Sequence, residues 1–162
     1  MTSKPSPPET GQQPLPPGLR GQTFAVVELL LDMIYAARSV APFDLESVLI
    51  YYCVSEATMR PLVLGDTPPE VMNMPLPPEQ YRGSISRLLV ADRVGLPRET
   101  VRRKIAAMIS SGLLTEDEEG RVRTTRNLAE PHVQKAVNDG HGAVTRYLAR
   151  LKQLGVVIDD QN

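Results

Sequence analysis

The chain has 162 residues, of which 41% are hydrophobic, and its formal net charge at pH 7 is -1. This composition excludes a chain that is disordered throughout, and the length suffices for one hydrophobic core of ordinary size. A nearly neutral chain attracts polyanions only weakly by its overall charge. Cys53 is the single cysteine, which excludes an internal disulfide framework and is typical of a reducing cytoplasm.

Residues 1–20 are predicted to form a disordered, proline-rich tail. They contain six prolines and few large apolar side chains, so burial cannot offset the entropy lost on ordering. The segment has polyproline II character and could serve as a recognition motif, although a solubilising leader is the simpler interpretation. It lacks a positively charged start followed by an apolar core and a cleavage signal, so we expect no secretory leader and a cytoplasmic protein.

Two apolar helices are predicted within residues 21–64. The first, over residues 22–39, is apolar around most of its circumference but too short and too charged to span a bilayer, so no membrane association is expected. The second follows Asp44, a natural N-cap, and runs from Leu45 to Met59. One neighbouring surface cannot cover two such helices, so we expect the pair to form a homodimer interface.

An alternative use of the same helices is a pocket for a small aromatic or lipid-like effector. This region carries five of the seven aromatic residues of the chain, and a tyrosine hydroxyl can recognise such a ligand. The five residues are Phe24, Tyr35, Phe43, Tyr51 and Tyr52. Aromatic side chains at helical spacing more often belong to a core or to a dimer seam.

Residues 65–80 are predicted to form an extended linker. The segment holds five prolines, which disfavour helix in the residues that precede them. Its apolar residues, among them Val71 and Met72, are expected to fix it to a surface of the protein. Such a linker could transmit a change in the dimer to the segment that follows, although no feature of the sequence requires it.

Residues 81–126 contain the signals for two short helices followed by a hairpin. Ser86 can cap the first helix, Gly95 can end it because glycine tolerates positive φ, and Pro97 suits the start of the second helix. In the second helix, apolar residues at helical spacing form one face and charged residues gather on the opposite face. After Gly112, period-two alternation predicts two short strands separated by an acidic turn.

The segment ADRVGLPRETVRRKIAAMISSGLL and the hairpin after it resemble the DNA-binding domain of bacterial winged helix-turn-helix transcriptional regulators of the IclR, MarR and GntR kind. The resemblance depends on Ala91 where the two helices cross, Gly95 in the turn, and Leu96 and Val101 between the helices. Lys104 departs from the pattern, since many such sequences carry an apolar residue there. The resemblance implies a mainly α fold, with a two-stranded wing and additional N-terminal and C-terminal helices.

The same resemblance implies which residues approach DNA. It places a recognition helix at residues 97–111 in the major groove and a wing at residues 113–126 on the sugar-phosphate backbone. Arginine suits both roles because its planar, permanently charged guanidinium donates to phosphates and to base edges. The residues implied are Arg98, Glu99, Thr100, Arg102 and Arg103 of the helix, and Arg121, Arg123 and Arg126 of the wing. The alternative is that these side chains are ordinary solvated charges.

Basic charge is concentrated in the segment that resembles a DNA-binding domain. Residues 82–126 carry ten Lys or Arg against six Asp or Glu, a balance of +4, whereas the remainder carries -5. The acidic run at residues 116–119 opposes DNA binding if the wing tip faces phosphate. It lacks the alternating ligand spacing of a calcium loop, so a solvated turn is the simpler interpretation, and we expect neither a metal site nor a cofactor.

Residues 127–162 are predicted to form a C-terminal helix that opens at Pro131. Its apolar residues follow alternating steps of four and three over three heptads: Val133, Val137, Gly140, Val144, Tyr147, Leu151 and Leu154. This narrow stripe favours packing against a single partner helix, either in a dimer or as a strap on the first domain. His132 and His141 are too few and too far apart to indicate a metal site.

The sequence therefore favours a homodimeric, sequence-specific regulator that binds double-stranded DNA. One alternative is a winged-helix module whose arginine face binds an acidic protein. A second is a regulator gated by an effector between the N-terminal helices. An enzyme is disfavoured, because no catalytic set of Ser, His and Asp or of Cys and His, no phosphate loop and no metal cluster is evident.

Overall fold

The computed structural model describes residues 14–40 and 44–156, so most of the predicted tail, Phe43 and the last six residues lie outside the described part of the chain. The described chain is mainly helical, with one small antiparallel sheet. Its elements are α1 (Leu19–Arg38), α2 (Leu45–Leu64), α3 (Pro69–Met72), a 3-10 turn (Glu79–Tyr81), α4 (Arg87–Val94), α5 (Arg98–Ser110), β1 (Leu114–Glu116), β2 (Val122–Thr124) and α6 (Pro131–Gln153).

The predicted helix boundaries around α4 are confirmed by their capping contacts. Ser86 accepts a hydrogen bond from the backbone N–H of Leu89 at 3.2 Å, which satisfies one of the unpaired donors of the first turn. Gly95 ends the helix with φ 68°, a left-handed conformation that favours glycine. Pro97 stands immediately before α5, so the two helices are joined by the tight turn that the sequence predicts.

The core of the described chain is formed by α2, α4, α5 and the hairpin, which we call the central unit. Its fully buried side chains come from every one of these elements: Ile50, Val54, Val90, Val101, Ile105, Leu114 and Val122. In the hairpin, Leu114 pairs with Thr124 and Glu116 with Val122. Ile85, just before α4, adds a single β-bridge to Val122 and so ties α4 to the hairpin.

A close backbone approach fixes the segment before α4 against α2. The N–H of Gly83 donates to the carbonyl oxygen of Thr58 at 2.9 Å, and a Cβ at Gly83 would collide with the carbonyl oxygen of Ala57. The hydroxyl of Thr58 in turn accepts from the N–H of Thr124 at 3.1 Å. Glycine is required here for space, and the buried threonine links α2 to β2.

The two N-terminal helices pack mainly against different elements, although they also contact each other. α2 packs in the central unit, where α4, α5 and β2 cover its apolar residues. α1 begins at Leu19, inside the segment predicted as tail, and packs along α6. The polar contacts from Glu28 to Arg150 and from Asp32 to Arg146 run in opposite chain directions, so α1 and α6 form an antiparallel pair.

Small side chains allow α1 and α6 to approach closely. Ala25 and Ala36 of α1 are buried, as are Gly140 and Ala143 of α6. The predicted heptad stripe of α6 is therefore divided. Its members Val133, Gly140 and Leu151 are buried, whereas Val137, Val144 and Leu154 remain largely exposed.

The predicted linker at residues 65–80 contains more local structure than an extended chain. It includes α3 and the 3-10 turn, and Val71 is buried as the sequence suggests. Met72, Met74 and Leu76 are partly exposed along one wall of a groove described below. Within the described ranges, no helix combines the length and the apolar character needed to cross a membrane.

Candidate nucleic-acid interface

The exposed face of α5 is formed by residues that the sequence singles out. Burial of Val101, Ile105 and Met108 in the core turns the opposite side of the helix outward. That outward side carries the exposed residues Glu99, Arg102, Arg103, Ala106 and Ser110, with exposed Arg98 at the N-terminal end and half-buried Thr100 beside it. Ala106 and Ser110 are small, so the second half of this face is flat and permits close approach of another surface.

Arg102 is held by Glu99 on the surface of α5. Its Nε and Nη2 donate to the two carboxylate oxygens of Glu99 at 2.9 and 2.6 Å, and this hydrogen bonding lowers the pKa of Glu99. Both side chains are well exposed. Within the described part of the chain, Arg98 and Arg103 form no ion pair, although the charge of Arg103 also helps to lower the pKa of Glu99.

Lys104 points away from this face and fastens α5 to α2. Its Nζ lies 2.6 Å from Oδ2 of Asp44 and 3.2 Å from Oε2 of Glu46, and its side chain is only 12% exposed. Asp44 also accepts from the N–H of Ser47 at 2.8 Å as the N-cap of α2. The hydrogen bond from Lys104 and those from Ser47 lower the pKa of Asp44 to about 2.

The hairpin is attached to the start of α4 by Arg87. Its guanidinium donates to both carboxylate oxygens of Glu116 at 2.9 and 2.8 Å and to the carbonyl oxygen of Gly120 at 3.1 Å. Asp117 closes the turn by accepting from the N–H of Glu119 and of Arg121. The first two carboxylates of the acidic run therefore have partners within the protein, which reduces the charge that would repel phosphate.

The three arginines assigned to the wing lie in different surroundings. Arg121 is exposed, with one nitrogen donating to the carbonyl oxygen of Ser84 at 2.6 Å. Arg123 is only 11% exposed, and Glu79 and Asp117 each lie 3.4 Å from its guanidinium. Arg126 turns toward Glu130 and His132, at 3.1 and 2.9 Å. Of the three, Arg121 is the one exposed on the outer surface of the hairpin, whereas Arg126 lines a groove described below.

The sequence analysis did not identify Arg87 as the residue that attaches the hairpin to α4. The available signal was its position immediately after the N-cap Ser86, from which a long side chain can reach beyond its own helix. Its partner Glu116 is 29 residues away, and no local pattern joins the two. The position of the hairpin relative to α4 is set by the tertiary structure and cannot be read from the local sequence.

The aromatic residues predicted to line an effector pocket are separated. Tyr51 and Tyr52 of α2 line a groove, whereas Tyr35 of α1 is 67% exposed and Phe24 lies 5.7 Å from the guanidinium of Arg150. Cys53 is half-buried, and this burial raises the pKa of its thiol. Among residues 14–40 and 44–156, no group of three or more His, Cys, Asp or Glu is placed to hold a metal ion.

Comparison with known proteins returned no match to this chain, whether among protein-family models, among curated proteins or among solved structures.

Proposed function

We propose that this protein is a sequence-specific regulator that binds double-stranded DNA through a winged helix-turn-helix formed by the central unit. The order of elements supports this proposal. The order is the one found in winged-helix domains. It consists of a helix, a short bridge at Ile85, two helices joined by the Gly95 turn, and a two-stranded hairpin. In this assignment α5, within the predicted segment 97–111, is the recognition helix, and the hairpin within residues 113–126 is the wing.

The observation that carries the proposal is the outward face of α5. Arg98 and Arg103 are exposed and form no ion pair within the described residues, while Glu99 holds the side chain of Arg102 in place. Such arginines can donate to phosphates and bidentately to guanine, and Glu99 can accept from a cytosine amine. The small residues Ala106 and Ser110 allow the helix backbone to approach the floor of the major groove.

The wing contributes a narrower contact in this proposal than the sequence implies. Arg121 is exposed beside the turn and is the wing residue that contacts the sugar-phosphate backbone. Arg123 and Arg126 have acidic partners inside the protein, so we assign them to stability and to the groove described below. The DNA contacts are then concentrated on Arg98, Glu99, Thr100, Arg102, Arg103 and Arg121.

We also propose that the regulator acts as a homodimer. α1 presents large apolar side chains on the side that faces away from α6, with Val27, Leu30, Leu31 and Tyr35 each more than half exposed. Together these side chains present an apolar area on the order of several hundred Å², the size of patch that is often an interaction surface. A twofold dimer through this face places two recognition helices on one DNA duplex, so the binding site contains two half-sites.

The decisive experiment is selection of bound sequences from a random pool of double-stranded DNA at two salt concentrations. Enrichment of a motif with two half-sites, with affinity that falls as salt rises, is the expected result. The double variant Arg98→Ala/Arg103→Ala should lose the enrichment. Its matched control is Arg20→Ala/Lys152→Ala, which removes the same charge from exposed positions on α1 and α6. Absence of any enrichment at low salt refutes the proposal and favours a module that binds an acidic protein.

A further inference from the structure

A second candidate site lies away from α5, in a groove of about 760 Å³ between α2, the predicted linker and α6. Its walls are mostly apolar, with Leu62 and Val63 from α2, Leu76 from the linker, and Val137 and Val144 from α6. Met59, Met72 and Met74 also line it, and methionine side chains adapt readily to ligands of different shape. The volume falls in the range of small-molecule sites, and no residue of α5 contributes to it.

The charge along the groove is unbalanced. Three arginines line it, Arg60, Arg82 and Arg126, against the single carboxylate of Glu56. Glu56 is engaged by Arg60, which also lines the groove, and by Arg93 of α4. Glu130 does not line the groove but binds one nitrogen of Arg126. The groove is therefore apolar along its length and cationic where α2 meets the end of β2.

Arg126 is the focus of this cationic end. It interacts with the hydroxyl of Tyr51, and its Nε is buried without a hydrogen-bond partner among the described residues. Arg82, beside it, donates to the carbonyl oxygen of Thr124. A partly buried guanidinium whose donors are not all used is a suitable partner for an anion, because charge-assisted hydrogen bonds are strong where water is scarce.

We propose that this groove binds an amphipathic carboxylate, with its apolar body along α2 and α6 and its carboxylate at Arg126 and Arg82. The chemistry of the two ends selects this class of ligand. An uncharged hydrocarbon leaves the arginines without a new partner, and a cationic amphiphile is repelled by them. The alternative occupant is an apolar segment of a second copy, such as the exposed face of α1. It would cover the methionine and valine walls, but the described apolar face of α1 carries no anion to pair with the arginines.

The position of this site gives it access to the hairpin. Arg82 contacts the carbonyl oxygen of Thr124, and the N–H of Thr124 donates to the hydroxyl of Thr58, which also lines the groove. Thr124 is the last residue of β2. A ligand that draws Arg82 or Arg126 toward its carboxylate therefore acts directly on the end of the hairpin. The ligand site itself does not depend on DNA binding.

The test compares three probes of equal chain length, dodecanoate, dodecanol and dodecylammonium, titrated into the full chain by calorimetry below their micellar concentrations. We expect dodecanoate to bind at least about tenfold more tightly than the other two, a difference of about 1.4 kcal/mol. Arg126→Gln should remove that preference, whereas Arg121→Gln, which removes an exposed arginine outside the groove, should preserve it. Circular dichroism of each variant checks that the fold is retained.

A second variant keeps the test independent of the structural contacts of Arg126. Val137 is 57% exposed at the edge of the groove, so Val137→Asp should fold while placing a like charge beside the ligand and abolishing dodecanoate binding. No dodecanoate binding to the native chain at millimolar concentration, or equal binding of dodecylammonium, overturns the proposal. One further outcome also overturns it: the native chain is a dimer that binds none of the three probes, and Val137→Asp converts that dimer to a monomer. A second copy of the chain then occupies the groove.

Discussion

The ammonium group of Lys104 lies 2.6 Å from a carboxylate oxygen of Asp44, which is 60 residues away in the sequence. Asp44 at the same time caps the first turn of α2. The lysine thus joins the middle of α5 to the N-terminus of α2, where a negative charge also interacts favourably with the helix dipole. A position that carries an apolar residue in many helix-turn-helix sequences here fixes the orientation of the candidate recognition helix.

This pair predicts a loss of stability in acid. Folding lowers the pKa of Asp44 from 3.8 to about 2, so the folded state binds the proton less tightly than the unfolded state. The contribution of the pair is fully present above about pH 4 and disappears as the pH falls from about 4 to about 2. Because Asp44 is largely exposed, solvent screening limits that contribution to about 0.5–1 kcal/mol. Urea unfolding across this pH interval measures it.

Lys104→Met provides the variant for this measurement. It keeps an unbranched side chain but removes the charge, so the pKa of Asp44 should return toward 3.8 and the pH dependence between 2 and 4 should weaken. The titration of Asp44 is followed by NMR of its side-chain carbon. An unchanged Asp44 pKa in this variant would show that the cap contact with Ser47, and not Lys104, controls the carboxyl group.

The contact of Arg87 with Glu116 predicts that the hairpin loosens when either charge is removed. Arg87→Gln breaks two hydrogen bonds to Glu116 and one to Gly120. We expect the amide hydrogens of the hairpin to exchange several-fold faster, with little change in the rest of the central unit. The double variant with Glu116→Gln should add little to Arg87→Gln, because both changes remove the same interaction. Fully additive effects would contradict a direct link between the two residues.

The sequence predicts the local features of the central unit well, for a physical reason. The Ser86 cap, the Gly95 turn and the apolar face of α5 depend on residues within one or two turns of each other, so one sequence contains the whole signal. The contacts of Arg121 and Arg123 are different. Period two places both arginines on one face of β2, yet Glu79, more than 40 residues earlier, approaches only Arg123. That difference is tertiary and has no local signature.

The sequence left open whether the C-terminal helix packs in a dimer or as a strap on the first domain, and the structure places it along α1. The apolar residues of α1 indicate that it is covered on more than one side, but not which helix covers it. The choice depends on Glu28 and Asp32 meeting Arg150 and Arg146 over more than 100 residues of chain. The predicted aromatic pocket likewise grouped residues by proximity in sequence, whereas the groove is formed mainly by α2, the linker and α6, with Met33 of α1 also lining it.

The two wing arginines should respond in opposite ways to substitution. Arg121→Ala removes an exposed cation, so we expect weaker DNA binding on all sequences, a salt slope reduced by about 1, and unchanged stability. Arg123→Ala removes a largely buried side chain and its contacts with Glu79 and Asp117, so we expect a loss of about 1 kcal/mol or more in unfolding free energy. The salt dependence of binding and urea unfolding of both variants distinguish these roles. If both variants weaken DNA binding equally, Arg123 is also part of the DNA interface.

The exposure of Arg103 on the outward face of α5 predicts its effect on sequence preference. If Arg103 reads a base edge, Arg103→Ala should weaken binding to the selected DNA by about 1–3 kcal/mol and relax preference at one position of each half-site. Lys152→Ala on α6 serves as the single-charge control. A uniform loss on all sequences would instead assign Arg103 to a phosphate. No loss at all would remove it from the interface.

The exposed apolar face of α1 predicts how the proposed dimer can be broken. Leu31 is 51% exposed near the middle of this face, so Leu31→Glu should leave the α1–α6 pair folded but place a charge in any interface formed there. We expect sedimentation velocity at micromolar concentration to change from a dimer to a monomer, with unchanged helical content. Affinity for the two-half-site DNA should fall at the same time, since each chain then binds one half-site without avidity.

A matched control separates this effect from a general effect of added charge. Leu89 of α4 is 44% exposed and lies outside the α1–α6 pair, so Leu89→Glu introduces the same residue at an apolar position of similar exposure. It should remain dimeric. If the native chain already sediments as a monomer at micromolar concentration, the α1 face is not a self-association surface. The two-half-site prediction then fails with it, because a monomer presents a single recognition helix to the duplex.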